Sequence, residues 1–213
     1  MLIRKLLLAA LAAAAIVGVA CGGGDDDPPE PTATFPPGFT PQPEGFLTPQ
    51  PPPALDPNVT FARFQGEKWP YNIGYPEGWN VDAAGPSVDE FELHTDFGEV
   101  TAIHVRCARS VSEGNAEPEG LASDDLRLVS TVPYQSGDLT ATEINGRRAV
   151  KWDYSVAIPG SPVRAWTFVY YIKGDDDTCA WRVSLQTIGT EPLTGYQELL
   201  DRVVQEFRPG EQG

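Results

Sequence analysis

Twelve of the chain's 21 prolines fall between Gly22 and Pro57, and that concentration decides where a fold can form. Proline lacks a backbone N–H and fixes φ, so neither a helix interior nor a central strand can be built through such a segment. The same stretch offers almost no aliphatic side chain to bury. Its ordering entropy goes unrepaid, and disorder is expected. Pro-rich chain favours the extended polyproline II form at ~3.1 Å per residue, which gives a taut reach on the order of 100 Å. The reading is a tether that holds a domain at a distance, with a docking peptide for an aromatic groove as the alternative. Everything able to make a core lies beyond it, in about 150 residues from Val59 onward, a usual size for one domain.

Ahead of the tether stands a different kind of segment. Arg4 and Lys5 make a short positive start, and Leu6 to Val19 is an uncharged run of 14 residues rich in Leu, Ala and Val. A membrane span needs about 20 such residues, whereas a secretory signal needs fewer. The small residue Ala20 then precedes Cys21 and Gly22-Gly23-Gly24. Gly18-Val19-Ala20-Cys21 resembles a lipobox, the cleavage site of bacterial lipoproteins, with Gly18 where that family prefers an aliphatic residue. The resemblance implies that residues 1–20 are removed and that Cys21 is acylated, giving a lipid anchor in the membrane and an extracytoplasmic location. Two or more acyl chains make such anchoring stable. Cleavage near Ala20 without lipidation, leaving a free protein, is the alternative.

Removing residues 1–20, which carry Arg4, Lys5 and no acid, moves the net charge from −15 to −17. A field of that sign repels phosphate backbones, so nucleic acid is not an expected partner.

Beyond Val59 the apolar residues take up regular periods. Tyr71 to Tyr75 alternates and runs into Pro76-Glu77-Gly78-Trp79, a turn followed by an aromatic suited to the core. Phe91 and Leu93 suggest another strand. In 101–109 Ile103, Val105 and Cys107 share one face, with His104 opposite. Glu117 to Ser130 is the first candidate helix, with Leu121, Leu128 and Val129 on its apolar side. A four-strand meander is expected next, over 139–144, 147–158, 163–172 and 178–188, its first hairpin turning at Asn145-Gly146. Val150, Trp152 and Tyr154 share one face of the second strand, and Cys179, Trp181, Val183 and Leu185 share one face of the fourth. Finally Tyr196, Leu199, Leu200, Val203, Val204 and Phe207 recur at helical spacing, with Pro209 as a stop. That stripe is expected to lie on the sheet, most deeply at Leu200 and Val203. Glu198, Asp201 and Glu206, against Arg202 alone, make the opposite face one that anionic lipid repels.

The early strand closing in Tyr75-Pro76-Glu77-Gly78-Trp79, the antiparallel sheet with its Asn145-Gly146 hairpin, and the final helix ending in Val204-Gln205-Glu206-Phe207 together resemble the PsbP-like family. The resemblance covers roughly Val59 to Pro209. It implies an α+β fold, an α/β/α sandwich around a curled antiparallel sheet, and supplies no ligand residues. The organisation read from the sequence is therefore a signal peptide over 1–20, a lipidated cysteine and tether over 21–58, a PsbP-like domain over 59–209 and a tail over 210–213.

Residues able to carry chemistry are few. The histidines, His94 and His104, belong to no HExxH and accompany no CxxC, so no metal site is expected. Asp175-Asp176-Asp177 reads as a solvated hairpin tip rather than a calcium loop, whose spaced ligands and glycine it lacks. No GxSxG elbow or phosphate-binding loop is present. Asp89-Glu90 and Asp124-Asp125 are the carboxylate pairs that acid–base chemistry would require. With Cys21 acylated, Cys107 and Cys179 remain, both on apolar strand faces. Outside the cytoplasm such a pair is expected to form a disulfide, with two buried thiols on separate strands as the alternative. The expectation is a non-enzymatic binding or accessory domain without a cofactor, presented from the membrane to an envelope protein or small molecule. An envelope hydrolase and a self-associating structural protein are the alternatives.

Overall fold

The structure is a computed structural model that describes residues 58–67, 69–82, 88–94, 100–175, 177–189 and 194–210. The signal peptide, Cys21 and the tether lie outside the described residues. In chain order the elements are β1 (Phe61–Gln65), β2 (Tyr71–Pro76), β3 (Asn80–Asp82), β4 (Asp89–His94), β5 (Val100–Ala108), α1 (Pro118–Val129), β6 (Tyr134–Ser136), β7 (Thr140–Ile144), β8 (Arg147–Ala157), β9 (Arg164–Lys173), β10 (Ala180–Gly189), α2 (Thr194–Gln205) and β11 (Arg208–Pro209). The fold is mixed α+β, and its strand pairings are antiparallel.

The strands form two sheets. One has three strands in the order β1-β2-β11, and the other runs β3-β4-β5-β10-β9-β8-β6, with β7 also on β8. The expected meander is β7 to β10. Its last strand joins the meander to β5, pairing Trp181 with Cys107 and Val183 with Val105. Expectation and structure differ in four short strands. β1, β3, β6 and β11, of two to five residues, carry too few alternations to register as periodic.

Local chemistry explains the joints. Asn145 and Gly146 both hold positive φ, 51° and 77°, the pair of values a two-residue type I′ hairpin demands. The Asn145 side chain then does a second job. Its Nδ2 donates to the Phe207 carbonyl at 2.9 Å and to Gln205 at 3.3 Å, covering acceptors that the end of α2 leaves open. Helix α1 begins with Pro118 in its first turn, where a missing N–H costs nothing.

Alternation along β8, β9 and β10 separates two cores on opposite faces of the large sheet. On one face, Leu121, Ala122 and Val129 of α1 meet Val150, Trp152, Tyr154, Val169, Tyr171 and Ala180. On the other, Phe168, Tyr170, Ile172, Trp181, Val183 and Leu185 meet α2 and the small sheet. The second cover is thus a helix together with a three-stranded sheet, a layer that the simple sandwich expectation did not contain. Trp79 is buried in this core, as are Leu200 and Val203 at 1% and 0% exposure. One expectation fails: Leu128 is 51% exposed rather than part of the apolar side of α1. Half-buried Leu126 packs there instead, because the helix turns Leu121, Ala122 and Val129 toward the sheet and rotates Leu128 away.

Candidate functional site

The face of the large sheet that receives α1 is apolar only where the helix sits. Helix α1 meets β8, β9 and β10. Toward β5 and β4 the same face turns polar, and strand register fixes its rows. Tyr171 lies opposite Arg182, which lies opposite Arg106. In the next row Val169, Ser184, His104 and Glu90 stand side by side.

Arg182 anchors this area. Its Nε donates to Asp125 Oδ2 of α1 at 2.8 Å, its Nη1 to Ser184 Oγ at 2.6 Å, and its Nη2 to the Tyr154 hydroxyl at 3.5 Å. The Tyr171 hydroxyl donates to the same Asp125 oxygen at 2.7 Å. The Arg182 side chain is 16% exposed and that of Asp125 23%. Burial works against the Arg182 charge, but the Asp125 carboxylate more than compensates and holds the guanidinium protonated beyond its ordinary range. Burial likewise pushes the Tyr171 phenol well up, so it stays a neutral donor. A part-buried ion pair therefore helps to fix α1 to the sheet.

Its neighbours are more open. Arg106 is exposed and makes no hydrogen bond or ion pair among the described residues. His104 Nδ1 lies 3.4 Å from Glu90 Oε1, with side chains 20% and 30% exposed. The outcome is a half-open polar strip bearing Arg106, His104, Glu90 and Glu92 beside the part-buried Arg182–Asp125 pair. Its members escaped notice in the sequence as a group. The alternation of His104 and Arg106 against Ile103, Val105 and Cys107 was the available signal, and pairing with β10 was needed to complete it.

The structure separates the residues that sequence reasoning had paired. Asp89 is buried and accepts a hydrogen bond of 2.5 Å from the Tyr71 hydroxyl in the α2-side core, whereas Glu90 faces His104 across the sheet. Burial, aided by that carboxylate, drives the Tyr71 phenol far above its usual range. Asp124 binds the Val111 N–H and the Ser112 hydroxyl, both at 2.5 Å, while Asp125 serves Arg182. Neither carboxylate pair converges on a common point. Asp175 pairs with Arg147, and Asp177 with Lys173 at 2.8 Å. Among the described residues no three His, Cys, Asp or Glu side chains gather as a metal site. The side chain of His94 lies outside the described residues. Cys107 and Cys179 stand at disulfide distance, their Cα atoms 5.6 Å apart.

On the other side of the molecule an open groove of about 410 Å³ lies between β1 and α2, lined by Phe61, Arg63, Gly74, Arg202, Gln205 and Glu206. Its cations are engaged: Arg202 covers the Phe61 ring at 4.7 Å, and Arg63 lies 3.9 Å from Glu206. Asp201 departs from its expected place on the free face of α2. Lys151 holds it at 2.8 Å and the Tyr170 hydroxyl at 2.7 Å, tying the helix to β8 and β9. Burial, then this carboxylate, pushes the Tyr170 phenol up to about 12, a value suited to a clamp rather than to proton transfer.

No known family matches the sequence, and no curated protein matches it. Among solved structures, the Ran-binding protein Mog1p of Saccharomyces cerevisiae is similar, with a TM-score of 0.52 and 11% identity over 71% of this chain and 96% of that one. PA94 of Pseudomonas aeruginosa, of unknown function, gives 0.48 at 14% identity, covering 71% and 99%. LpqN of Mycobacterium tuberculosis, involved in cell envelope biogenesis, gives 0.46 at 13% identity, covering 71% and 92%. The likeness to Mog1p shows a shared fold, and a fold does not carry function with it. Among the described residues no helix is long and apolar enough to cross a membrane.

Proposed function

We propose that the chain is an extracytoplasmic lipoprotein, anchored through acylated Cys21, whose PsbP-like domain is a non-enzymatic binding module. Its binding surface is the polar strip of the large sheet beside α1. The observation that supports this reading is the placement of exposed Arg106 beside part-buried Arg182 on a sheet face that α1 covers only in part, while the carboxylates nearby are divided among separate tasks. A hydrolytic site needs an acid and a base within reach of one bond, and here Asp124 fastens a loop while Asp125 fastens Arg182. The Cys107–Cys179 pair, oxidised in the envelope, holds the end of β5 to the β9–β10 hairpin and keeps the strip's two central strands in register.

Two measurements test the two halves of the proposal. Cys21→Ser should move the protein from the membrane to the soluble fraction, and retention in the membrane with unchanged migration refutes the anchor. For the surface, a photo-crosslinking residue placed at Gln186, on the same sheet face, should capture a component of envelope extract. The same residue at Glu198, on the exposed side of α2, should not. Equal capture from both positions, or none from Gln186, refutes the assignment of this face.

A further inference from the structure

We infer that Arg106 and Arg182 form a subsite for one carboxylate group of the module's ligand. The inference rests on reading the α1-side sheet face as the binding surface.

The two arginines are directly opposed in the β5–β10 ladder. Opposed residues of an antiparallel pair hold their Cβ atoms about 4.5–5.5 Å apart, and like charges so placed destabilise the sheet. A chain with 15 basic residues and a net charge of −15 has acids in abundance to neutralise such a pair, yet Arg106 has no partner among the described residues. Arg182, by contrast, is locked in place. Asp125, Ser184 and Tyr154 take three of its hydrogen bonds. A guanidinium carries five N–H donors, so each terminal nitrogen of Arg182 retains one. A fixed guanidinium edge with spare donors beside a free, exposed arginine is suited to an oxyanion that bridges the two.

Charge selects the class of oxyanion. In the row of the two arginines Asp125 offsets Arg182 and leaves the single positive charge of Arg106, while Glu90 and Glu92 stand one and two rows away on the same face. A carboxylate matches that single charge and offers two coplanar oxygens, one toward each guanidinium. A phosphate dianion would exceed the one positive charge of Arg106 with Glu90 and Glu92 close by, so the site favours the monoanionic carboxylate over phosphate. The carboxylate could belong to a small acid or to a peptide terminus, and the two sources separate experimentally.

The test follows the arginine Nε–H resonances of the full-length protein in detergent micelles by NMR, at fixed ionic strength. The probes are benzoate, N-acetyl-Ala-Ala with a free carboxylate, the same peptide as its amide, and inorganic phosphate. The expected result is a saturable shift of the Arg106 and Arg182 signals with the carboxylates and none with the amide. A response to the peptide acid alone identifies a chain terminus as the source, and a response to benzoate alone identifies a small acid. Arg106→Gln should weaken the response at least tenfold without lowering the melting temperature, and Arg106→Lys should restore part of it. Phosphate binding as tightly as carboxylate overturns the proposal, as do silence from all four probes and an Arg106→Gln protein that melts earlier. If none of the probes binds while the Gln186 crosslink still captures a component, the carboxylate subsite fails and the binding face stands.

Discussion

Leu200→Ala is the perturbation whose size follows most directly from the structure. Leu200 is 1% exposed and sits among Tyr196, Leu199, Val203 and Val204 of α2 and the apolar face of the large sheet. Truncation removes three carbons, which at ~0.8 kcal/mol per buried methylene amounts to about 2.4 kcal/mol of transfer free energy. The cavity left behind adds to this, giving about 2.5–5 kcal/mol in a core that relaxes only partly. For a domain of this size each kcal/mol lowers the melting temperature by roughly 2–4 °C, so Leu200→Ala should melt at least ~5 °C below the parent. Leu128→Ala supplies the internal control. Its side chain is 51% exposed on α1, and the same chemical change there should cost less than about 0.5 kcal/mol. Paired thermal melts by circular dichroism decide the matter. If Leu200→Ala melts like the parent, or the two variants fall equally, α2 is not a core element and the burial argument is wrong.

Three further outcomes follow from particular contacts. Replacing both Cys107 and Cys179 by Ala should cost about 4 kcal/mol, the chain-entropy value for a loop spanning 72 residues; equal denaturation midpoints for the variant and the oxidised parent refute the bond's role. The Ser112 hydroxyl first, with the Val111 N–H, holds the Asp124 carboxylate below its ordinary 3.8. Its stabilisation of the 110–112 loop is therefore complete at neutral pH and disappears as pH falls through the lowered value. Asp124→Asn should cost about 1 kcal/mol at pH 7 and flatten the acid limb of the stability profile, and a parallel profile contradicts this. Arg182→Met should cost about 1.5–3 kcal/mol by removing the charged donors of half-buried Asp125, whereas Arg182→Met with Asp125→Leu should recover most of it; a double variant no better than the single refutes the pair as an isolated unit.

Legibility in the sequence tracked element length and period. Strands β5, β8, β9 and β10, of 9 to 11 residues, carry several alternations each, and their ends fall within two residues of where the pattern placed them. Asn145-Gly146 was legible because a type I′ turn admits few residue pairs. The three-stranded sheet was not, since β11 owes its existence to pairing with β2 across a long sequence gap, and β1, though adjacent to β2, is too short to show a period. Leu128 was misplaced for a related reason. On a 12-residue helix of mixed composition, Leu126 and Leu128 are equally apolar, and the Asp125–Arg182 bond, invisible in sequence, sets which way the helix faces. The polar strip shares that fate. His104 was placed on its face correctly, but the opposition of Arg106 and Arg182 depends on β10 choosing β5 as its neighbour.

That choice also explains why the strip exists. A helix with its side chains is about 10–12 Å across, and strands are spaced ~4.8 Å apart, so one helix covers about two or three strands. Helix α1 lies chiefly over β8, β9 and β10, and its core reaches β5 only at the half-buried Ala108. On the opposite face α2 and the small sheet together supply a broader cover, and there Ile103, Val105 and Phe91 are buried at 0–2% exposure. The residues that alternate with them, His104, Arg106 and Glu90, lie on the side that α1 covers only in part, where they are half-buried or exposed. A partly covered strip needs polar side chains in general, and lysine, glutamate or threonine would serve that need. It does not need two arginines opposed across one ladder with a single carboxylate between them. Solvation accounts for the polarity of the strip, and the carboxylate ligand proposed above is our account of its composition.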